Sequence, residues 1–247
     1  MKKVKIATIA MILMLGLGAC GNNKAGSAES AVSTETTPTV SETGFESSGK
    51  LMAGDETYQY VLDRNSGKLT MAGKTEVPDD FVSTEQSEGN IESSDIIKDV
   101  TINEGVERIG TYAFEECKNL KTVIMPESLT EIGQGAFHSC VSLESVTVPE
   151  NVTVLNEDVF FGCDSLKEVK ITGKVTKISD MSFANCNQLE SVVIPASVTE
   201  IGESVFTGET TLNVYFGGTE ADWNKITIGN DNKALETANI HYESDGE

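Results

Sequence analysis

The residues best suited to chemistry are four cysteines, Cys117, Cys140, Cys163 and Cys186, which recur at intervals of 23. Thiolates bind metals and attack electrophiles, so what matters first is whether these four converge. A tetrahedral centre needs each sulfur about 2.3 Å from one ion, whereas one cysteine per repeat stacks the thiols in a line about 4.8 Å apart, the spacing of adjacent strands. Such a line does not close around an ion. A disulfide between neighbours meets a milder objection, since parallel Cβ atoms stay about 4.8 Å apart and a bridge prefers about 3.8 Å. The expectation is a buried ladder of thiols that act as small hydrophobes. His138 and His241 are the two histidines, and neither belongs to a Ser-His-Asp or Cys-His arrangement. His138 follows the apolar Phe137 and is expected at a solvent-facing corner. Asp231, in Gly229-Asn230-Asp231-Asn232, lacks the spacing and closing Glu of an EF-hand loop and reads as a turn. The stretch Glu76 to Asp95 has seven acids and no Lys or Arg. It reads as a solvated loop, with weak divalent-cation binding as the alternative. No phosphate loop, HExxH helix or nucleophile elbow occurs. The reading is therefore a protein that is not an enzyme, with no cofactor and no metal.

The cysteines are one column of a larger pattern. Phe114, Phe137, Phe160, Phe183 and Phe206 keep the same interval of 23, as do Leu120, Leu143, Leu166, Leu189 and Leu212. Val123, Val146, Val169 and Val192 run in step, and so do Ile109, Ile132, Leu155, Ile178 and Ile201. Columns in phase over this many periods are the signature of stacked rungs, each burying its apolar side against its neighbours. Within a period, Leu120 to Pro126 alternates as a short strand with Val123 and Met125 inward, ended by proline. Leu129 to Gly133 is a second extended piece, and Gly133 permits the next corner. Gln134 to Cys140 spaces Ala136, Phe137 and Cys140 like one helical or 3-10 turn.

The pattern A-F-x-x-C-x-x-L-x-x-V-x-I-P-x-x-V-x-x-I-G resembles the BspA-like leucine-rich repeats of bacterial surface proteins, over residues 98 to about 216. The resemblance implies a right-handed solenoid of short parallel β-strands and short helical or 3-10 turns, with an N-terminal β-hairpin cap and a C-terminal α/β cap. Tyr58 to Asp63, Asn65-Ser66-Gly67 and Lys68 to Gly73 read independently as that hairpin. Val214 to Ile226 resembles a recurrent closing module. In it Thr219 is a helix N-cap with Asp222 three residues on, and Trp223 and Ile226 lie on the inner side. Leu235 and the strand-like Asn239 to Tyr242 follow and cover the last rung. One repeat departs from the pattern: Gly173 and Lys174 follow Thr172 where the neighbours have proline, and Asn156 and Ser179 replace the corner glycine. Altered corners in an unbroken stack are expected there.

At the start of the chain Lys2, Lys3 and Lys5 precede fourteen uncharged residues, Ile6 to Ala19. A bilayer span needs about 20 apolar residues, so this reads as the core of an export signal. Leu17-Gly18-Ala19-Cys20 resembles the lipobox of bacterial lipoproteins, which implies that Cys20 is lipidated and begins the mature chain. Gly21 to Gly49 has almost no large apolar residue and reads as a flexible tether. The expected organisation is thus a signal peptide over 1–19, lipidated Cys and tether over 20–49, and hairpin and acidic loop over 50–97. Repeats follow over 98–211 and a closing module over 212–247.

Lys plus Arg against Asp plus Glu gives 18 − 39 = −21, and 15 − 39 = −24 once the leader with its three lysines is removed. Such acidity excludes phosphate-reading surfaces, so no nucleic-acid partner is expected, and the membrane is met through the lipid anchor alone. What remains is the outward strand face, rigid and extended, the usual partner surface of a solenoid. The candidate residues on it are Thr122, Ile124, Ser145, Thr147, Glu168, Lys170, Ser191, Val193 and Phe216. The resemblance implies adhesion or recognition of an extracellular protein or glycan. The alternative is a structural or accessory envelope lipoprotein that binds no ligand.

Overall fold

A computed structural model describes residues 45–47, 50–54, 58–73, 75–82, 94–208 and 211–246. The expected signal peptide, Cys20 and most of the expected tether lie outside the described residues. Within the stretch expected to be tether up to Gly49, β1 (Phe45–Ser47) pairs antiparallel with β2 (Lys50–Gly54). A hairpin of β3 (Tyr58–Asp63) and β4 (Lys68–Gly73) follows at the Asn65-Ser66-Gly67 turn. Then come β5 (Glu76–Val77), β6 (Asp99–Ile102), β7 (Arg108–Ile109), β8 (Thr122–Ile124) and β9 (Glu131–Ile132). Next are β10 (Ser145–Val148), β11 (Val154–Leu155), β12 (Glu168–Ile171), β13 (Lys177–Ile178), β14 (Ser191–Ile194) and β15 (Glu200–Ile201). The chain closes with β16 (Asn213–Phe216), α1 (Glu220–Trp223), β17 (Thr227–Ile228), α2 (Lys233–Glu236) and β18 (Asn239–Tyr242).

The strands stack in parallel at the repeat interval, Val146 against Val169 and Val169 against Val192. Each coil has a strand side, a second side of two-residue strands, and a side built of turns. The turn side is neither helix nor sheet. Residues in the left-handed region recur four apart, as Gly135 and Ser139 or Asp158 and Gly162, and each stops a helix from continuing. Its N–H groups alternate accordingly: His138 donates within its coil to Gly135 O (2.9 Å), while Phe137 donates to Val159 O of the next coil (2.9 Å). The expected helical turn is thus a chain of single turns tied to its neighbour.

The coils bury a continuous apolar column. Phe114, Phe137, Phe160, Phe183 and Phe206 stack face to face with centroids 5.3, 5.5, 5.4 and 5.7 Å apart. The stack starts one coil earlier than residue 98. Strand β4 pairs parallel with β6 and β5 with β7, and Phe81, fully buried, meets Phe114 at 6.0 Å. The beginning of the acidic run therefore belongs to a coil, a placement hidden because extra residues separate Phe81 from the next member of its column.

The departure at Asn156 has a larger consequence than an altered corner. At the equivalent position the backbone N–H of Gly133, Ser179, Gly202 and Gly229 donates to the preceding coil at 2.8–2.9 Å. These glycines serve close approach, since a Cβ on Gly133 would sit 2.6 Å from Gly110 C. At Asn156 the side-chain amide reaches Ile132 O instead, at 2.7 Å. At this junction both ladders stop: β8 ends one sheet and β10 begins another, and β9 and β11 part likewise. The stack is held across this seam mainly by the turn side and the core, through Gly135 N to Glu157 O (3.0 Å), Ser139 N to Phe161 O (2.7 Å) and the Phe137–Phe160 stack, with Glu144 N to Lys121 O (3.3 Å) and Asn151 Nδ2 to Glu127 O (2.8 Å) beside them. Ser179 also carries a Cβ, yet its N–H keeps the bond to Leu155 O (2.9 Å), so the longer Asn156 side chain marks the opening.

Candidate binding face

Two columns of outward side chains run along the strand side. One is Asp99, Thr122, Ser145, Glu168, Ser191 and then Asn213 and Asn239; the other is Thr101, Ile124, Thr147, Lys170, Val193 and then Tyr215 and His241. Thr122, Ser145, Thr147 and Glu168 are exposed, while Ser191, Lys170 and Val193 are half-buried. Ile124 is 61% exposed, the most exposed large hydrophobic side chain among the described residues.

Phe216 does not belong to this face. It pairs with Ile194 and is fully buried, with its ring 5.2 Å from Trp223. Leu189 and Val192 are three apart, whereas Leu212 and Val214 are two apart. One residue is missing, and because side chains alternate along a strand, this single deletion exchanges inside and outside. Asn213 and Tyr215 take the outward positions, and Val214 and Phe216 enter the core. The signal was present in Asn213-Val214-Tyr215-Phe216, whose polar members alternate with its apolar ones. Tyr215 and His241 stack at 4.8 Å, 13° from parallel, so the face ends in paired rings.

The other candidates divide between structure and surface. The cysteines are buried free thiols, and Cys140, Cys163 and Cys186 each donate S–H to a phenylalanine carbonyl of the preceding coil at 3.2–3.3 Å. Burial pushes every thiol up, Cys186 to about 12, which favours the unreactive neutral form. Among the described residues no group of His, Cys, Asp and Glu is placed to hold a metal ion. His138, expected in solvent at a corner, is half-buried. Its ring lies flat on Phe161 at 4.9 Å with the Tyr112 edge at 6.3 Å, and Nδ1 is 3.5 Å from Glu115 Oε1. Side chains on the turn side stack just as the core phenylalanines do, which sequence position alone did not reveal.

The acids at the head of the acidic run serve a cation of the protein itself. Arg108 reaches Asp79 Oδ1 at 2.7 Å and Glu76 Oε2 and Glu131 Oε1 at 3.3 Å, joining three coils on the second side. The hydrogen bond from Arg108 holds the Asp79 carboxyl below its usual range. Asp231 stands in a turn with a left-handed backbone, and the adjacent Asn232 accepts from Phe206 N (3.0 Å) and donates to Gly202 O (2.8 Å). The N-cap expected of Thr219 is present, with the reciprocal bond from Asp222 that completes a capping box, and Trp223 and Ile226 face inward.

The chain is similar to the T. pallidum leucine rich repeat protein TpLRR (22% identity over 63% of this chain and 87% of that one, TM-score 0.40). It is similar to a leucine rich cell surface protein of Faecalibacterium prausnitzii (24%, 66% and 54%, TM-score 0.38) and to the pneumococcal vaccine antigen PcpA (19%, 74% and 52%, TM-score 0.49). The chain thus spans about half the length of the last two. No curated protein matches it. The family described as BspA type leucine rich repeat region matches residues 91–213 in six copies. With its repeat interval realised as stacked parallel coils, the chain belongs to the BspA type leucine-rich repeat family.

Proposed function

We propose that this is an extracytoplasmic, lipid-anchored recognition protein that binds an extracellular protein or glycan through its strand side and catalyses nothing. The observation that carries the reading is the strand side itself: a fixed array of outward side chains in register, with Ile124 61% exposed on it. A preformed surface lowers the ordering cost of binding, because its side chains and backbone are already held by the stack. The family's leucine-rich cell-surface members support an extracytoplasmic location, and Leu17-Gly18-Ala19-Cys20 supports the anchor.

The test is capture on an array of glycans and extracellular-matrix proteins, probed with the chain lacking residues 1–20. Replacing Ile124 and Tyr215 by Ser and Lys170 by Glu together should abolish capture at an unchanged melting temperature. Capture that survives the triple change sinks the proposed face, and reproducible turnover of glycosidic, ester or peptide substrates sinks the non-enzymatic reading. Cys20→Ser should move the protein from the membrane fraction to the soluble one, and its retention in the membrane would overturn the anchor.

A further inference from the structure

The strand side is not bare along its whole length. After β18 the chain turns at Glu243, which has φ 53, and doubles back over the end of the sheet. Glu243 N–H donates to Gly218 O at 2.9 Å and Ser244 N–H to Phe216 O at 3.1 Å. Gly246 then lies on the outward column. A Cβ added to it would stand 2.8 Å from Val193 Cγ2 and 3.5 Å from Tyr215 Cγ, and its φ of +79 is one that side-chain-bearing residues rarely adopt. Lack of room and backbone conformation thus independently require glycine at this point. Val193 and Tyr215, which it meets, stand in line with Lys170 and His241 on successive strands. Val193 and Tyr215 are half-buried, as are Thr101 and Lys170 of the same column, while Ile124, Thr147 and His241 are exposed.

We infer that the Val193–Tyr215 patch is a docking site for an acidic peptide segment, and that residues 243–246 occupy it in cis as a strap that any outside ligand must displace. The inference rests on reading the strand side as a recognition surface. The occupant shows the chemistry the patch accepts: a turning backbone with a glycine over Val193 and the Tyr215 ring, preceded by Glu243 and Asp245, beside a column containing Lys170. A segment tethered this closely competes at an effective concentration of about millimolar, so weak ligands are excluded until it lifts.

The test compares the full chain with Gly246→Val and with a chain ended after Tyr242. In the unsubstituted chain the Ser244 amide should exchange at least ~10-fold more slowly than an unstructured one, because its N–H is bonded to Phe216 O. Gly246→Val should remove that protection while the Val192 and Val214 amides keep theirs. A labelled peptide spanning Tyr242 to Glu247, titrated by fluorescence anisotropy, should bind Gly246→Val and the shortened chain saturably. It should bind the unsubstituted chain at least ~10-fold more weakly, as expected of a competing tethered occupant. Val193→Glu in the shortened chain should abolish the binding. Equal binding to all forms, no binding to the shortened chain, or an unprotected Ser244 amide in the unsubstituted chain would each overturn the proposal. Neither readout involves an outside ligand, and the array is probed with the strap present and with the chain also ended after Tyr242, so failure of capture by both strikes the recognition reading alone.

Discussion

Two junctions in the same stack carry similar cores and different exteriors. Between the coils of Ser179 and Gly202, β12 pairs with β14, β13 with β15, and Phe183 stacks on Phe206 at 5.7 Å. Between the coils of Gly133 and Asn156, the core stack is as tight, Phe137 on Phe160 at 5.5 Å, yet neither ladder is formed. The comparison teaches that this solenoid has separable fasteners. The apolar column and turn side join every coil, while strand pairing depends on how closely the corners approach. The ladders part at the one corner where Asn156 inserts its side-chain amide, and the strands on the second side are two residues long and carry few bonds of their own.

The largest effect should come from the fastener that crosses the seam unbroken. The fold keeps the four thiols neutral, with Cys186 at about 12 against an ordinary 9.0, while an unfolded chain ionises them near pH 9. Their contribution is therefore fully present below pH 9 and is lost as pH rises from there through the raised folded values, by about 1.4 kcal/mol per pH unit and thiol. Urea melts from pH 8 to 11 should show a steep loss, and Cys140→Ala should flatten it by roughly a quarter, one thiol of four. A pH-independent midpoint would mean that the column is not sealed. A single transition is expected throughout, and two would mean that the seam divides the stack into separate halves.

Next in size is Phe216→Ser, at the far end of the intact sheet. As a core residue it should cost about 3–5 kcal/mol in chemical denaturation, the range for losing a buried ring, whereas an outward Phe216 would cost almost nothing. The seam itself is addressed by Asn156→Asp, which keeps the shape but sets a carboxylate against Ile132 O in place of a donor. A loss of about 1–3 kcal/mol is expected for the unsatisfied acceptor pair. Asn156→Gly should let the ladders close, read as slower amide exchange at Val146 and Val148. Exchange that stays fast would show that something other than Asn156 parts the strands. The smallest effect belongs to Ile124→Ser on the lip of the seam, which should change stability by less than about 0.5 kcal/mol. A larger loss would place Ile124 in the stack and remove it from the free surface.

Periodicity made the core legible. Phe114 to Phe206, the thiol ladder and the inward Val column fall where equal spacing puts them, since identical coils can bury only the same positions. The hairpin turn at Gly67 and the Thr219 cap were equally legible, being local matters of backbone freedom and hydrogen bonding. The outward positions of the strands were legible as far as Val193 and not at Phe216, where one missing residue reverses the alternation.

The sequence by itself determined the repeat, the residues that pack and the side of each strand that faces out, because these follow from period and alternation along one coil. Only the tertiary structure decided what depends on the distance between coils. Two ladders part beside Asn156, His138 lies flat on Phe161, Phe81 extends the column backwards, and Gly246 rests on Val193 and Tyr215. Each joins residues from different turns of the stack, where contact is set by ångströms of backbone approach and not by position in the repeat.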